Sequence, residues 1–192
     1  MRKLSYLILI AAIGFTACKN EKKETPAMET EAVESEMEAA PMSKNLNVTL
    51  NPKSDSNVTG NVTFTEENGK IKMHAMMTGL EPGVHAIHIH EKSDCSAPDG
   101  ISTGGHWNPT NQPHGKWGAP EGYHKGDIGN FTADENGNGH VTFSTDEWCI
   151  GCGDDTKDIL GKGIIVHAGT DDFTTQPTGA AGGRVSCAGI IQ

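Results

Sequence analysis

The chain has 192 residues, with 25 acidic against 15 basic side chains and a formal net charge of −10 at pH 7. That balance excludes nucleic acid as a partner, because phosphate binding needs a surplus of Lys and Arg. Twenty-four glycines and the lack of any long helical periodicity point away from a helical protein and toward an all-β chain.

Residues 1–17 have the layout of a secretory signal: Arg2 and Lys3, an apolar stretch from Leu4 to Phe15, then Thr16-Ala17 as a small-residue cleavage site before Cys18. The apolar stretch is too short to span a bilayer as a stop-transfer helix. A cysteine directly after such a site resembles the lipobox of bacterial lipoproteins, although Phe15 stands where Leu is usual. The resemblance implies a lipidated Cys18 and a chain held to a membrane in the bacterial envelope, extracytoplasmic and either periplasmic or outer-membrane associated. Residues 18–44 read as a flexible acidic tether. From residue 19 on they hold seven Glu and four Lys and no aromatic side chain, a composition that cannot bury enough apolar surface to offset chain entropy. Met28, Met37 and Met42 are soft donors scattered in that tether, and scattered donors in a tail are read as carrying no role.

Residues 45–192 make one domain, long enough for a single core. Val62 and Phe64, then Ile71 and Met73, alternate with polar residues on either side of Asn68-Gly69, which predicts a β-hairpin. His85, His88 and His90 follow in an extended segment. Alternation puts His88 and His90 on one face and His85 on the other, so His85 is a structural hydrogen-bonding residue. The stretch from Glu91 to Tyr123 resists strand assignment and carries His106 and His114, with His124 and Asp127 just beyond. Strands are predicted over Gly129–Ala133 and around Val141 and Phe143, joined by an Asp134–Gly139 turn, and at Ile164–Val166 ending on His167. Ala168 to Ser186 is a second long loop. Loops of this length inside a compact domain are usually functional, and these flank every candidate ligand. His74 and His140 stand in strand or turn contexts without visible partners and are read as non-ligands. The predicted fold is a Greek-key β-barrel or immunoglobulin-like sandwich with two long functional loops.

Two His from one strand plus one distant His make a nitrogen-rich set suited to copper, and three His with one Asp make a tetrahedral set suited to zinc. Four cysteines follow Cys18, namely Cys95, Cys149, Cys152 and Cys187, an even set in an oxidising compartment that admits three pairings.

Gly83-Val-His-Ala-Ile-His-Ile-His90, Gly105-His-Trp-Asn-Pro109, His124-Lys-Gly-Asp-Ile-Gly-Asn130 and Gly182-Gly-Arg-Val-Ser-Cys187 resemble, in order, the signature segments of the copper–zinc superoxide dismutases. The resemblance covers residues 45–192 and leaves out the signal and the tether. It implies copper held by His88, His90, His106 and His167, and zinc held by His106, His114, His124 and Asp127, with His106 bridging as imidazolate. It implies an activity in which one superoxide reduces Cu(II) and leaves as dioxygen, while a second reoxidises Cu(I) and leaves as hydrogen peroxide. Zinc has the structural and electrostatic role. Arg184, the single arginine after the signal, is implied as the superoxide-binding residue. Asp171 is implied as the carboxylate linking a copper histidine to a zinc histidine, and Thr178 as a wall of the substrate channel. The family disulfide implies Cys95 with Cys187, which leaves Cys149 with Cys152 in a small structural disulfide.

Two departures stand out. The Cys95–His106 loop is longer than in short eukaryotic forms and resembles bacterial members, so the usual dimer contact does not carry over. Pro177 stands where other members have steering lysines, which shifts that role to Arg184, or to Lys116 or Lys125. Partners beyond superoxide are the membrane and, left open, a second copy of the chain and a copper donor protein. A non-enzymatic copper-buffering lipoprotein is the rival reading. It would show an incomplete ligand set or lack the arginine, and here all seven ligands and Arg184 are present.

Overall fold

A computed structural model of the chain describes residues 43–192. The expected signal, Cys18 and the expected tether up to residue 42 lie outside the described residues. Eight strands form a closed antiparallel barrel: β1 (Lys44–Pro52), β2 (Thr59–Glu67), β3 (Lys70–Thr78), β4 (Gly83–His90), β5 (Gly129–Ala133), β6 (Gly139–Thr145), β7 (Gly163–His167) and β8 (Arg184–Gly189). Around the barrel they run β1-β2-β3-β6-β5-β4-β7-β8, so consecutive β3 and β4 are separated by two strands, a Greek-key crossing. No α-helix occurs among the described residues, and the only helical turn is a 3-10 segment at Ile101–Thr103.

Alternation builds the barrel. Leu46, Val48 and Leu50 of β1, Val62 and Phe64 of β2, and Ile71, Met73, Ala75 and Met77 of β3 are all buried while their neighbours face solvent. Asn68 and Gly69 both take positive φ, the two-residue turn that matches the twist of the flanking strands. β1 extends the barrel beyond the sequence reading and begins at Lys44, inside the expected tether.

β4 departs from alternation and is buried from His85 to His90. Ile87 and Ile89 point into the core, and the opposite face, which carries His88 and His90, is roofed by the first long loop. That loop is laid along the end of β4: Ile89 N–H donates to Gly126 O, Trp107 N–H to Ile89 O and Lys92 N–H to Thr103 O, each at 2.9 Å. The loop runs as far as Ile128. The second loop is shorter than its sequence suggests, because Arg184, Val185 and Ser186 already belong to β8. Cys95 and Cys187 are disulfide-bonded, which pins the first loop to β8, and Cys149 and Cys152 form the second disulfide.

The base of the first loop rests on an aromatic cluster of Trp117, Phe143 and Trp148, with ring centroids 4.8 to 5.7 Å apart. Trp148 Nε1 donates to Lys125 O at 2.9 Å, and Tyr123 Oη to Glu147 at 2.6 Å. Trp148, Ile150 and Ile159 are core residues supplied by loop rather than strand.

Candidate metal centre

His88 and His90 leave β4 on the same outer face, and His167 ends β7 on that side, since Ile164 and Val166 point inward. His106 is carried by the first loop and bridges to His90 as an isolated antiparallel pair. Ligand atoms of His88, His90, His106 and His167 lie within 4.8 Å of one another, and so do those of His106, His114, His124 and Asp127. All seven residues are buried, and His106 belongs to both groups.

Hydrogen bonds fix which nitrogen each ring presents. His90 Nδ1 donates to Gly104 O at 3.0 Å, which leaves Nε2 facing His167 Nε2 at 3.4 Å. That is the separation of two nitrogens each about 2 Å from a shared ion. His88 Nε2 donates to Asp171 Oδ2 at 2.9 Å and His114 Nε2 to Asp171 Oδ1 at 2.8 Å, so one carboxylate ties the two groups together. Both rings then aim Nδ1 inward. His106 Nδ1 lies 2.8 Å from Asp127 Oδ1. His114 Nδ1 is 2.9 Å from Asp127 Oδ2 without hydrogen-bond alignment, the arrangement of two ligands turned toward a common point.

His88 Nδ1, His106 Nε2, His114 Nδ1 and His124 Nδ1 are buried with no hydrogen-bond partner. A buried polar atom left unsatisfied costs about 1–3 kcal/mol. Four of them converging in two places fit metal ions as the missing partners. The donor chemistry agrees: four imidazoles suit copper, and three imidazoles with a carboxylate suit zinc. A third group, Cys149, Cys152 and Asp158, also comes together, but its sulfurs are already joined in a disulfide.

Burial, then the positive charge of neighbouring histidines, holds His90 and His167 well below the usual histidine range. Burial lowers His106 to about 4, with His88 adding to the effect and Asp127 opposing it. Burial also acts against His114, but its bonds to Asp127 and Asp171 outweigh that and raise it to about 9. Asp127 and Asp171 are both held far below the carboxylate range, because histidine hydrogen bonds overcome the cost of burying their charge.

Arg184 stands opposite His167 at the start of β8. Its Nη1 donates to Gly100 O and Thr103 Oγ1 and its Nη2 to Gly104 O, all at 2.8 Å. Nε–H and the second Nη2–H make no protein hydrogen bond among the described residues. The positive charge of Arg184 contributes to lowering both His90 and His167, so it faces the copper-type group. Thr178 and Pro177 line a surface hollow with His106, His124 and Glu91. Lys125 is ion-paired with Glu147, which leaves its charge neutralised rather than free for steering, and Lys116 is exposed.

Several supporting residues gave no sequence signal. Asn130 holds Asp171 at both backbone groups, at 2.8 Å each. Gln176 Oε1 accepts from His114 N–H at 2.8 Å, and its Nε2 donates to His114 O at 2.9 Å. Gly104 has φ +78, and its carbonyl serves His90 and Arg184 together. A Cβ on Gly179, also at positive φ, would strike the Asp171–His114 bond. His85 donates or accepts at both ring nitrogens on the other face of β4, toward His167 O and Glu81 O.

Barrel and site together define a β-barrel protein with two adjoining buried groups of metal-ligating side chains that share one histidine. The family model for copper/zinc superoxide dismutase matches residues 58–190, and the chain belongs to that family. Among solved structures it resembles a double mutant of a SOD-like protein from Bacillus subtilis, at 32% identity and TM-score 0.68, covering 76% of this chain and 97% of that one. It also resembles the clock protein EA4, at 33% identity and TM-score 0.66, covering 77% and 94%.

Proposed function

We propose that this chain is a lipid-anchored superoxide dismutase of the bacterial envelope. The signal would occupy 1–17, lipidated Cys18 and its tether 18–44, and the catalytic domain 45–192. The observation that carries the activity is the shared ring of His106 between two complete four-ligand sets, with Arg184 beside one of them. His88, His90, His106 and His167 would hold copper, and His106, His114, His124 and Asp127 would hold zinc. Copper supplies a one-electron couple, so that two superoxide anions and two protons give dioxygen and hydrogen peroxide, while zinc supplies a fixed positive charge.

The chain's own residues do the rest. Arg184 is anchored through three N–H bonds and keeps two N–H groups for a small anion. His106 Nε2 is the one unpartnered atom of the shared ring, and it is where a proton is taken up and given back. Asp171 holds His88 and His114 in the tautomers that present Nδ1. Thr178 and Pro177 narrow the approach.

The test is metal content and dismutation by the purified full-length chain. The wild type is expected to hold copper and zinc and to dismutate superoxide, and His90→Ala to lose copper and activity while keeping zinc. Activity retained in His90→Ala overturns the copper assignment. Neither solved relative is named as a superoxide dismutase, and the rival reading of a copper-holding protein without turnover predicts stoichiometric copper and no dismutation.

A further inference from the structure

Two histidines outside the metal centre find each other, against the expectation that they lack partners. His74 on β3 and His140 on β6 are exposed, yet their Nε2 atoms approach to 2.5 Å with ring centroids 4.5 Å apart. The register explains how. His74 lies opposite Thr142 and Met76 opposite His140, so these four residues form a square on the outer face of two paired strands, with the histidines on its diagonal. Met76 is 57% exposed, exceeded among the exposed large apolar side chains of the described residues only by Ile101 and Ile191, and it lines the same hollow as His140.

We propose that His74, His140 and Met76 form a binding site for a single copper ion on the outside of the barrel, separate from the buried pair of clusters. Without an ion the pair shares one exposed hydrogen bond, with one ring donating and the other accepting, which has small net value in water, whereas an ion uses both lone pairs at once. At about 2.0 Å from each nitrogen the ion needs them roughly 3–4 Å apart, an opening that exposed side chains reach by small rotations. The donor set selects the metal. Structural zinc sites draw on four Cys, His, Asp or Glu ligands, and among the described residues no third residue of those types brings a ligand atom up to the two histidines. Two imidazoles with a thioether suit copper in both oxidation states, and copper heads the affinity order for nitrogen ligands. The surroundings permit a cation. Asn61 and Thr63 of β2 and Thr142 of β6 are neutral, Lys72 lies two residues from His74 on the same face, and Asp134 lines the hollow beside His140. The proposal is independent of the activity proposed above, since none of these residues belongs to the buried clusters.

The experiment titrates Cu(II) into the full-length chain already saturated with copper and zinc, followed by calorimetry and electron paramagnetic resonance. The wild type is expected to take up one further Cu(II) with its own spectrum, and His140→Gln and His74→Gln to weaken that uptake by roughly tenfold or more. Under ascorbate, Met76→Leu is expected to weaken Cu(I) retention against a chromophoric chelator. All three side chains are exposed, so unchanged melting temperatures confirm that the variants fold. Equal extra uptake by wild type and both histidine variants overturns the site, and equal Cu(I) retention in Met76→Leu removes the methionine from it. The comparison turns on residues 74, 76 and 140 alone, so it reads the same whether or not the buried clusters turn over superoxide.

Discussion

At the level of single residues, one carboxylate carries an unusual share of the organisation. Asp171 accepts from His88 and His114 and is itself gripped by Asn130 and by Phe173 N–H. Asp171→Asn keeps the shape but leaves an amide that cannot accept from both rings with both oxygens. We expect it to weaken zinc retention about 10–100-fold, measured by chelator competition, with a smaller effect on copper. Strand alternation set His88 and His90 on one face, the resemblance of four ordered segments supplied the rest of the candidate ligand set, and the fold brings those residues together. Asn130 and Gln176 were not readable from sequence, because each meets its partner across 41 and 62 residues and an amide carries no pattern of its own. The His74–His140 pair was missed for the same reason: residues 66 apart become neighbours only once β3 pairs with β6.

Among the elements, the first long loop does the positioning, and its attachment to the barrel is what makes a loop precise enough to hold ligands. The Cys95–Cys187 bond spans 92 residues and fixes the stretch that supplies Gly100, Thr103 and Gly104 to Arg184. Replacing both cysteines by Ala is expected to cost about 2–5 kcal/mol, read as a lower denaturant midpoint, because the unfolded chain regains the freedom the bond removes. Activity should fall further than stability alone explains, since the guanidinium loses its fixed seat. No such loss in a variant confirmed to be disulfide-free would show that hydrogen bonds alone hold the loop. The β2–β3 hairpin was legible because Asn68-Gly69 states its turn in two letters. β1 and the loop-borne core of Trp148, Ile150 and Ile159 were not. Three alternating apolar residues after a polar tether make a faint signal, and loop residues that plug a barrel follow no period.

For the whole molecule, the buried histidines set how stability follows pH. In the metal-free chain His90 and His167 are depressed and His106 is lowered to about 4, against an ordinary 6.5 when unfolded. Between those values the unfolded chain binds more protons, so stability is lost as pH falls from 6.5 toward 4. His114, raised to about 9, acts at the other end: its contribution is complete below 6.5 and fades as pH climbs through 9. Asp127 and Asp171 are depressed, and their contributions go only as pH drops below the ordinary carboxylate range. We expect the melting temperature of the metal-free protein to fall between pH 6.5 and 4, and that of the loaded protein to hold until its ions leave. A flat profile for the metal-free chain would contradict these burial effects. The shared ring of His106 has one more consequence for the assembled protein. With two ions bound as proposed, the first to arrive would take the lone-pair nitrogen of that imidazole, orient the ring and make the remaining N–H more acidic, and the second would displace that proton, so the first prepares the seat for the other. Such help is reciprocal by thermodynamic necessity: zinc must tighten copper by the same factor by which copper tightens zinc. Filling should therefore run toward chains with both seats taken or neither, with few half-loaded molecules between.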